Sequence, residues 1–236
     1  MRATIIPTNA SKTRYGREFW EQLWRTAGIQ SIGLIVIALL LYGQLPGVDA
    51  PFDKLELFYR GHHAGILVAT ILLGFGVLNL LWFATALRTT LADLGQDGWG
   101  AAATASSSAV GTLLLLIAAA LAGVAFSSSS FAVGPLALSF QHFIWSVFVL
   151  TSFPRAMLIM AGSFGLWRAG LVSNAIFAAG VACIVLTLLG GTTWIDGGFW
   201  APDGAYSRIF SPAIDLLWIV GASRVLLMAR ASKSGW

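Results

Sequence analysis

Charge is what this sequence has least of. Lysine, arginine, aspartate and glutamate together make 10% of its 236 residues, against about 25% in an average soluble domain. With 57% of residues hydrophobic, a water-soluble globule is excluded, because it could not cover its own surface. The bilayer is therefore the expected solvent for most of the chain. Cysteine is nearly absent. Cys183 stands alone, which excludes an intramolecular disulfide and says nothing of redox compartment. Its place in an apolar run reads as small-residue packing. The usual signatures of hydrolytic and nucleotide chemistry are missing too. There is no HExxH pair and no G-x-S-x-G elbow, and GQDGWG lacks the lysine and the strand of a phosphate loop. No alternating segments of about ten residues suggest a barrel. The two halves show no repeat of the kind that inverted-repeat transporters carry. The net charge of +4 comes from basic residues that form neither a stripe nor an RNA-type aromatic motif, so no nucleic-acid partner is expected.

What the chain has in abundance is apolar runs. Six are long enough to be spanning candidates at about 20 residues each: residues 27–45, 63–87, 105–126, 138–167, 171–192 and 209–229. Each must satisfy its backbone internally, so the expected fold class is all-α, an integral membrane bundle of six transmembrane helices. No small-residue cleavage site follows the first run, which is expected to stay as an anchor. The expected organisation is a cytoplasmic segment over residues 1–26, a transmembrane domain over 27–230 and a cytoplasmic tail over 231–236.

Basic residues set the orientation. Arg2, Lys12, Arg14, Arg17, Arg25, Arg88, Arg168, Arg224, Arg230 and Lys233 fall on one side, and only Lys54, Arg60 and Arg208 on the other. The positive-inside rule then places both termini in the cytoplasm, with the chain in the inner (plasma) membrane of a bacterial cell. Before the first run, RYGREFWEQLWRT puts Phe19, Trp20, Leu23 and Trp24 on one face. It reads as a short amphipathic helix lying in the interface. Asp97-Gly98-Trp99, Asp196-Gly197-Gly198-Phe199 and Asp203-Gly204-Ala205-Tyr206 read as tight turns with interfacial aromatic anchors. The last two lie in an outer loop with the character of a lid over an outward-facing cavity. Ala119 with Gly123, and Ala175 with Ala179, are spaced for close helix packing.

Arg155 is the anomaly. It follows Pro154 in an apolar run and lies 13 residues from Arg168, about 20 Å from the cytoplasmic edge at 1.5 Å per residue. A central arginine left facing lipid costs at least about 3 kcal/mol. Pro154 should kink the helix and free a carbonyl. Asp215 is the one acidic residue within a run. It stands 15 residues before Arg230, about 22 Å above the same edge. Matched depth makes Asp215 the expected partner, either as a structural lock or as part of a path. Asn79, about 14 Å from that edge, is expected to join them.

His63 and His142 start the second and fourth runs near the outer face. With a carboxylate they could hold a transition metal, or together a haem iron, although the expected complement is no cofactor. The leading functional reading is non-enzymatic, either an accessory subunit or a binder of a lipophilic ligand. Its partners are the lipid bilayer and a membrane protein or second copy. The alternatives are a small transporter or channel using Arg155, Asp215 and Asn79, and an outer-face metal or haem enzyme using His63 and His142.

Overall fold

The computed structural model of the protein describes the backbone of residues 10–128 and 135–231, and the side chains of residues 26–127 and 137–229. The elements are α1 (Ala10–Tyr42), α2 (Phe52–Gly61), α3 (His63–Ala92), α4 (Asp97–Ser128), α5 (Pro135–Leu150), α6 (Ser152–Arg168), α7 (Asn174–Gly190) and α8 (Ser211–Ala231), with a π-helical turn at Tyr206–Phe210 leading into α8. Among the described residues there is no strand. Four helices are long and apolar enough to cross a membrane: His63–Ala92, Asp97–Ser127, Ala137–Arg168 and Tyr206–Ala229. Two apolar stretches, Thr26–Tyr42 and Asn174–Gly190, are shorter.

The helices form a ring. α1 packs on α3, α3 on α4, α4 on α6, α6 on α7, α7 on α8, and α8 returns to α1. Their outward faces stay apolar, with Leu40 75% and Leu217 72% exposed. Such surface suits hydrocarbon and not water. The buried side chains form two main clusters. One holds Tyr42, Leu55, Tyr59, Ile66, Leu73, Leu121 and Ile144 at the end carrying α2. The other holds Leu80, Phe83, Leu87, Leu91, Leu158 and Leu226 toward the opposite end. With no hydrophobic effect between helices in lipid, hydrogen bonds and close backbone approach do the joining. Ser31 of α1 donates to the Gly76 carbonyl of α3 at 2.8 Å, and Trp218 of α8 donates to Ser163 of α6 at 2.9 Å.

Several expectations change. The N-terminal segment is no separate short helix: its backbone runs unbroken into the first apolar stretch as the 33-residue α1. The side chains of Phe19, Trp20, Leu23 and Trp24 lie outside the described residues, as do the tail beyond Ala231 and part of the serine run 127–130. α2 was not foreseen. It is ten residues long, buries Leu55, Phe58 and Tyr59 at i, i+3, i+4 spacing, and pairs Glu56 with Arg60 at 2.7 Å. Asp97-Gly98 is no turn but the first turn of α4, where an acidic residue suits the helix dipole. Of the three Asp-Gly pairs, Asp196-Gly197 alone has a positive φ, +75° at Gly197. The fourth apolar run is interrupted at Thr151 into α5 and α6. Pro154, four residues after Leu150, has no N–H for that carbonyl.

The small-residue pairs at Ala119, Gly123, Ala175 and Ala179 all face outward. Close approach falls elsewhere. A Cβ on Gly162 would lie 2.6 Å from Trp218 Cζ2, whereas one on Gly123 would meet nothing within 4 Å. Gly162→Leu is therefore expected to destabilise by about 1–3 kcal/mol or more through overpacking, with Gly123→Leu near neutral. Thermal unfolding of the two variants in detergent checks this, and equal midpoints would refute it.

Candidate functional site

α6 begins just past the interruption at Thr151, and Arg155, one turn further on, reaches across the ring. Its Nη1 donates to Asp215 Oδ2 of α8 at 2.6 Å. Its Nη2 donates to Ser152 Oγ at 2.9 Å and to Ser211 Oγ at 3.3 Å. The guanidinium also lies 5.9 Å from the centre of the Phe148 ring. The second oxygen of Asp215 accepts from Thr187 Oγ1 of α7 at 2.6 Å. The side chains of Arg155 and Asp215 are only 12% and 10% exposed, so the charges neutralise each other largely out of solvent. Three helices thus meet at one carboxylate. Gly190 gives the room: a Cβ there would stand 2.7 Å from Ser211 Oγ and 2.8 Å from Ser152 Oγ.

The pair lies on the wall of a cavity of about 480 Å³. Its walls are mainly apolar, drawn from Leu73 and Leu80 of α3, Val110 to Leu121 of α4, Ile144 and Phe148 of α5, and Leu216 and Ile219 of α8. Along α4 the lining extends over about 16 Å at 1.5 Å per residue. Arg155, Asp215 and Arg208 bring the charge to it.

One end of the cavity is capped by the chain that follows α1. Gly43, at φ +69°, turns that chain back over the ring, where a side chain would be strained. Gln141 Nε2 and Trp145 Nε1 both donate to the Pro46 carbonyl, the latter at 3.1 Å. Arg208 Nη2 donates to the Leu45 carbonyl at 2.5 Å, and its guanidinium stacks 4.6 Å over the Trp145 ring. Val48 N donates to Asp203 Oδ2 at 3.2 Å. Tyr59 donates to Gln141 Oε1 at 3.0 Å. Burial pushes its phenol well above its usual range, so it remains a donor. The loop expected to act as a lid thus supplies a strut, Asp203, while the residues that border the cavity at this end are Gly43, Gln44 and Leu45, anchored through Pro46 and Val48.

The sequence-derived residues separate into those brought together and those left apart. Arg155 and Asp215 touch. Asn79 does not join them: it is half-buried, and its Nδ2 donates back to the Phe75 carbonyl at 2.9 Å. At about 14 Å from the edge, against about 20 and 22 Å for the pair, it lies more than a helical turn away from them. His142 lies 3.2 Å from the Val48 carbonyl through Nε2. His63 opens α3. Among the described residues no group of three or more His, Cys, Asp and Glu comes together to hold a metal ion, so His63 and His142 gain no carboxylate as a third ligand. Thr187, Ser152, Ser211 and Arg208 were not singled out by sequence reasoning. Compared with known proteins, the chain matches no family model, no curated protein and no solved structure.

Asp215→Asn strands the Arg155 charge among apolar side chains. It is expected to cost about 3–5 kcal/mol, read as a lower unfolding midpoint in detergent. The double variant Arg155→Met, Asp215→Leu should recover most of that loss, because neither charge then remains to be desolvated. A single variant as stable as the parent would show that the pair is not what joins these helices.

Proposed function

We propose that the protein is a multi-pass membrane protein that binds a lipophilic ligand in the cavity beside Arg155 and Asp215. The observation that carries this reading is the cavity. Its volume of about 480 Å³ falls in the range of roughly 300–1,000 Å³ usual for small-molecule sites. Apolar walls with a few convergent polar groups are also the usual composition of such sites.

The same reading takes all six apolar helices through the bilayer with both ends cytoplasmic. Thr26–Tyr42 and Asn174–Gly190 are each 17 residues, near the lower bound of about 17 for a spanning helix. The continuation of α1 at one end adds length to the first. The excess of basic residues at the ends of α3, α6 and α8 supports that orientation. It puts the capped end of the cavity outside.

A second reading follows from the position of the charged pair on the cavity wall: a transporter in which Arg155 and Asp215 line the path. The two readings differ in one measurement. A transporter loses flux in sealed vesicles when Asp215→Asn is introduced, whereas a binder shows no flux to lose.

Extraction of the purified protein followed by mass spectrometry tests the leading reading. A lipophilic molecule should co-purify in stoichiometric amount, and Leu114→Trp, which fills the cavity from α4, should expel it while leaving the protein folded. If wild type and variant retain the same molecules in the same amount, the cavity is not a binding site. Reporter fusions after residue 200 and at the C-terminus check the topology, with opposite sides of the membrane expected.

A further inference from the structure

The cavity walls carry two guanidiniums against one carboxylate. Arg155 is matched by Asp215, but Arg208 forms no ion pair among the described residues. Asp203, the carboxylate of the same cap, is engaged by Val48 N. Arg208 is instead held by the Leu45 carbonyl and the face of Trp145, with Asp203 acting on its charge only from beyond ion-pair distance. It sits on the π-helical turn Tyr206–Phe210, a local backbone irregularity of a kind often found at functional sites. The Nε–H groups of Arg208 and Arg155 are both buried without an acceptor. Two buried cationic donors on one cavity wall lack the acceptor that buried donors ordinarily have.

The cavity also has a direction. Arg208, Leu45 and Tyr42 line one end, and Leu80, Val110 and Ile219 line the other, and the only charged side chains between them are the mutually neutralised Arg155 and Asp215. The length of about 16 Å along α4 is about half of a hydrocarbon core about 30 Å thick. That length matches the depth of a single leaflet. The wall between α1 and α8 is closed toward the apolar end, where Gly28 abuts Ser223, Ile219 and Phe83. Toward the capped end, four lining residues are exposed to the surroundings: Leu39 of α1 at 44%, Ile209 beside Arg208 at 62%, and Gly43 and Gln44 between them in the chain that follows α1. These residues put the opening at this end of the cavity, between α1 and the turn that leads into α8, with Gly43 to Leu45 on its rim.

Resting on the reading of the cavity as a ligand site, we propose that the ligand is an amphiphile with an anionic head and an apolar tail. It enters from the lipid between α1 and the turn that leads into α8. Its head meets Arg208 at the capped end, and its tail occupies the space down to Ile219.

The test uses the full chain in a neutral maltoside detergent, with dodecanoate, dodecanol, dodecyltrimethylammonium and inorganic phosphate as probes, read by thermal unfolding and native mass spectrometry. One charge-assisted hydrogen bond corresponds to about a tenfold or greater preference, so dodecanoate should bind at least about tenfold more tightly than dodecanol. Dodecyltrimethylammonium should bind more weakly than either, and phosphate alone should not bind. Arg208→Gln should bring dodecanoate down to the level of dodecanol, and Arg208→Lys should keep the preference. The ligand series on the unaltered protein stands even if Arg208→Gln fails to fold. Equal binding of dodecanoate and dodecanol, with both expelled by Leu114→Trp, would overturn the anionic-head assignment and leave the cavity reading intact. Binding of phosphate alone would overturn the amphiphile in favour of an ion site. Absence of binding by all four probes would overturn both the assignment and the cavity reading beneath it.

Discussion

A guanidinium buried among apolar helices needs a counter-charge, and the bundle is arranged around that constraint. The Arg155 side chain is largely buried, so its charge must be met inside the ring. Asp215 meets it from α8 at 2.6 Å, and Thr187 binds the other carboxylate oxygen from α7 at the same distance. α6 and α8 touch directly over only a short stretch, because the cavity intervenes. The ion pair and the Trp218–Ser163 hydrogen bond are therefore the main polar links across that gap. The same carboxylate ties α7 to both helices, which closes the ring on the side where packing alone is thin.

Depth was legible in the sequence and azimuth was not. Counting residues from Arg168 and from Arg230 was enough to set Arg155 beside Asp215, because rise per residue is fixed by the backbone and not by the surroundings. The face that a residue occupies is normally read from hydrophobic period, and in lipid that period fades because both faces of a helix are apolar. Asn79 shows the consequence: nothing in the sequence marks which way its side chain turns, and it bonds back to its own helix. Ala119, Gly123, Ala175 and Ala179 show it again, since small residues suit a lipid-facing side as well as a packed one. The hydroxyls of Thr187, Ser152 and Ser211 gave no signal for a different reason. A threonine or serine in an apolar helix commonly bonds to its own i−4 carbonyl, as Thr70, Thr85, Thr90, Thr104 and Thr112 do here. Composition does not mark the few that reach across to another helix.

The cap follows from backbone accounting. Once α1 ends at Tyr42, the carbonyls of residues 45–48 have no helical donors. A carbonyl near an apolar core needs a partner. Gln141, Trp145 and Arg208 supply donors from α5 and the π-helical turn, and His142 lies beside the Val48 carbonyl. These are long side chains on rigid elements, and they hold an irregular segment in place without any secondary structure of its own. Irregular backbone of this kind is tolerated at membrane depth where protein buries it or where it borders a cavity. Both conditions hold at Leu45, which lines the cavity while its carbonyl is bonded to Arg208.

The choice of charged residues at the centre separates stability from shape. A buried ion pair is weak evidence for stability, since apolar residues of similar volume often serve as well or better. What apolar residues would not reproduce is the separation. Arg155 and Asp215 meet end to end, so the two side chains act as a strut whose length is set by the hydrogen bond at its middle. Ser152 and Ser211 flank it, and Gly190 leaves the room for both. Close-packed leucines at the same positions would draw α6 and α8 together over the space that the cavity now occupies. The bundle could then be as stable as before and yet lose its interior volume, so the pair is better understood as what keeps the cavity open than as what keeps the chain folded.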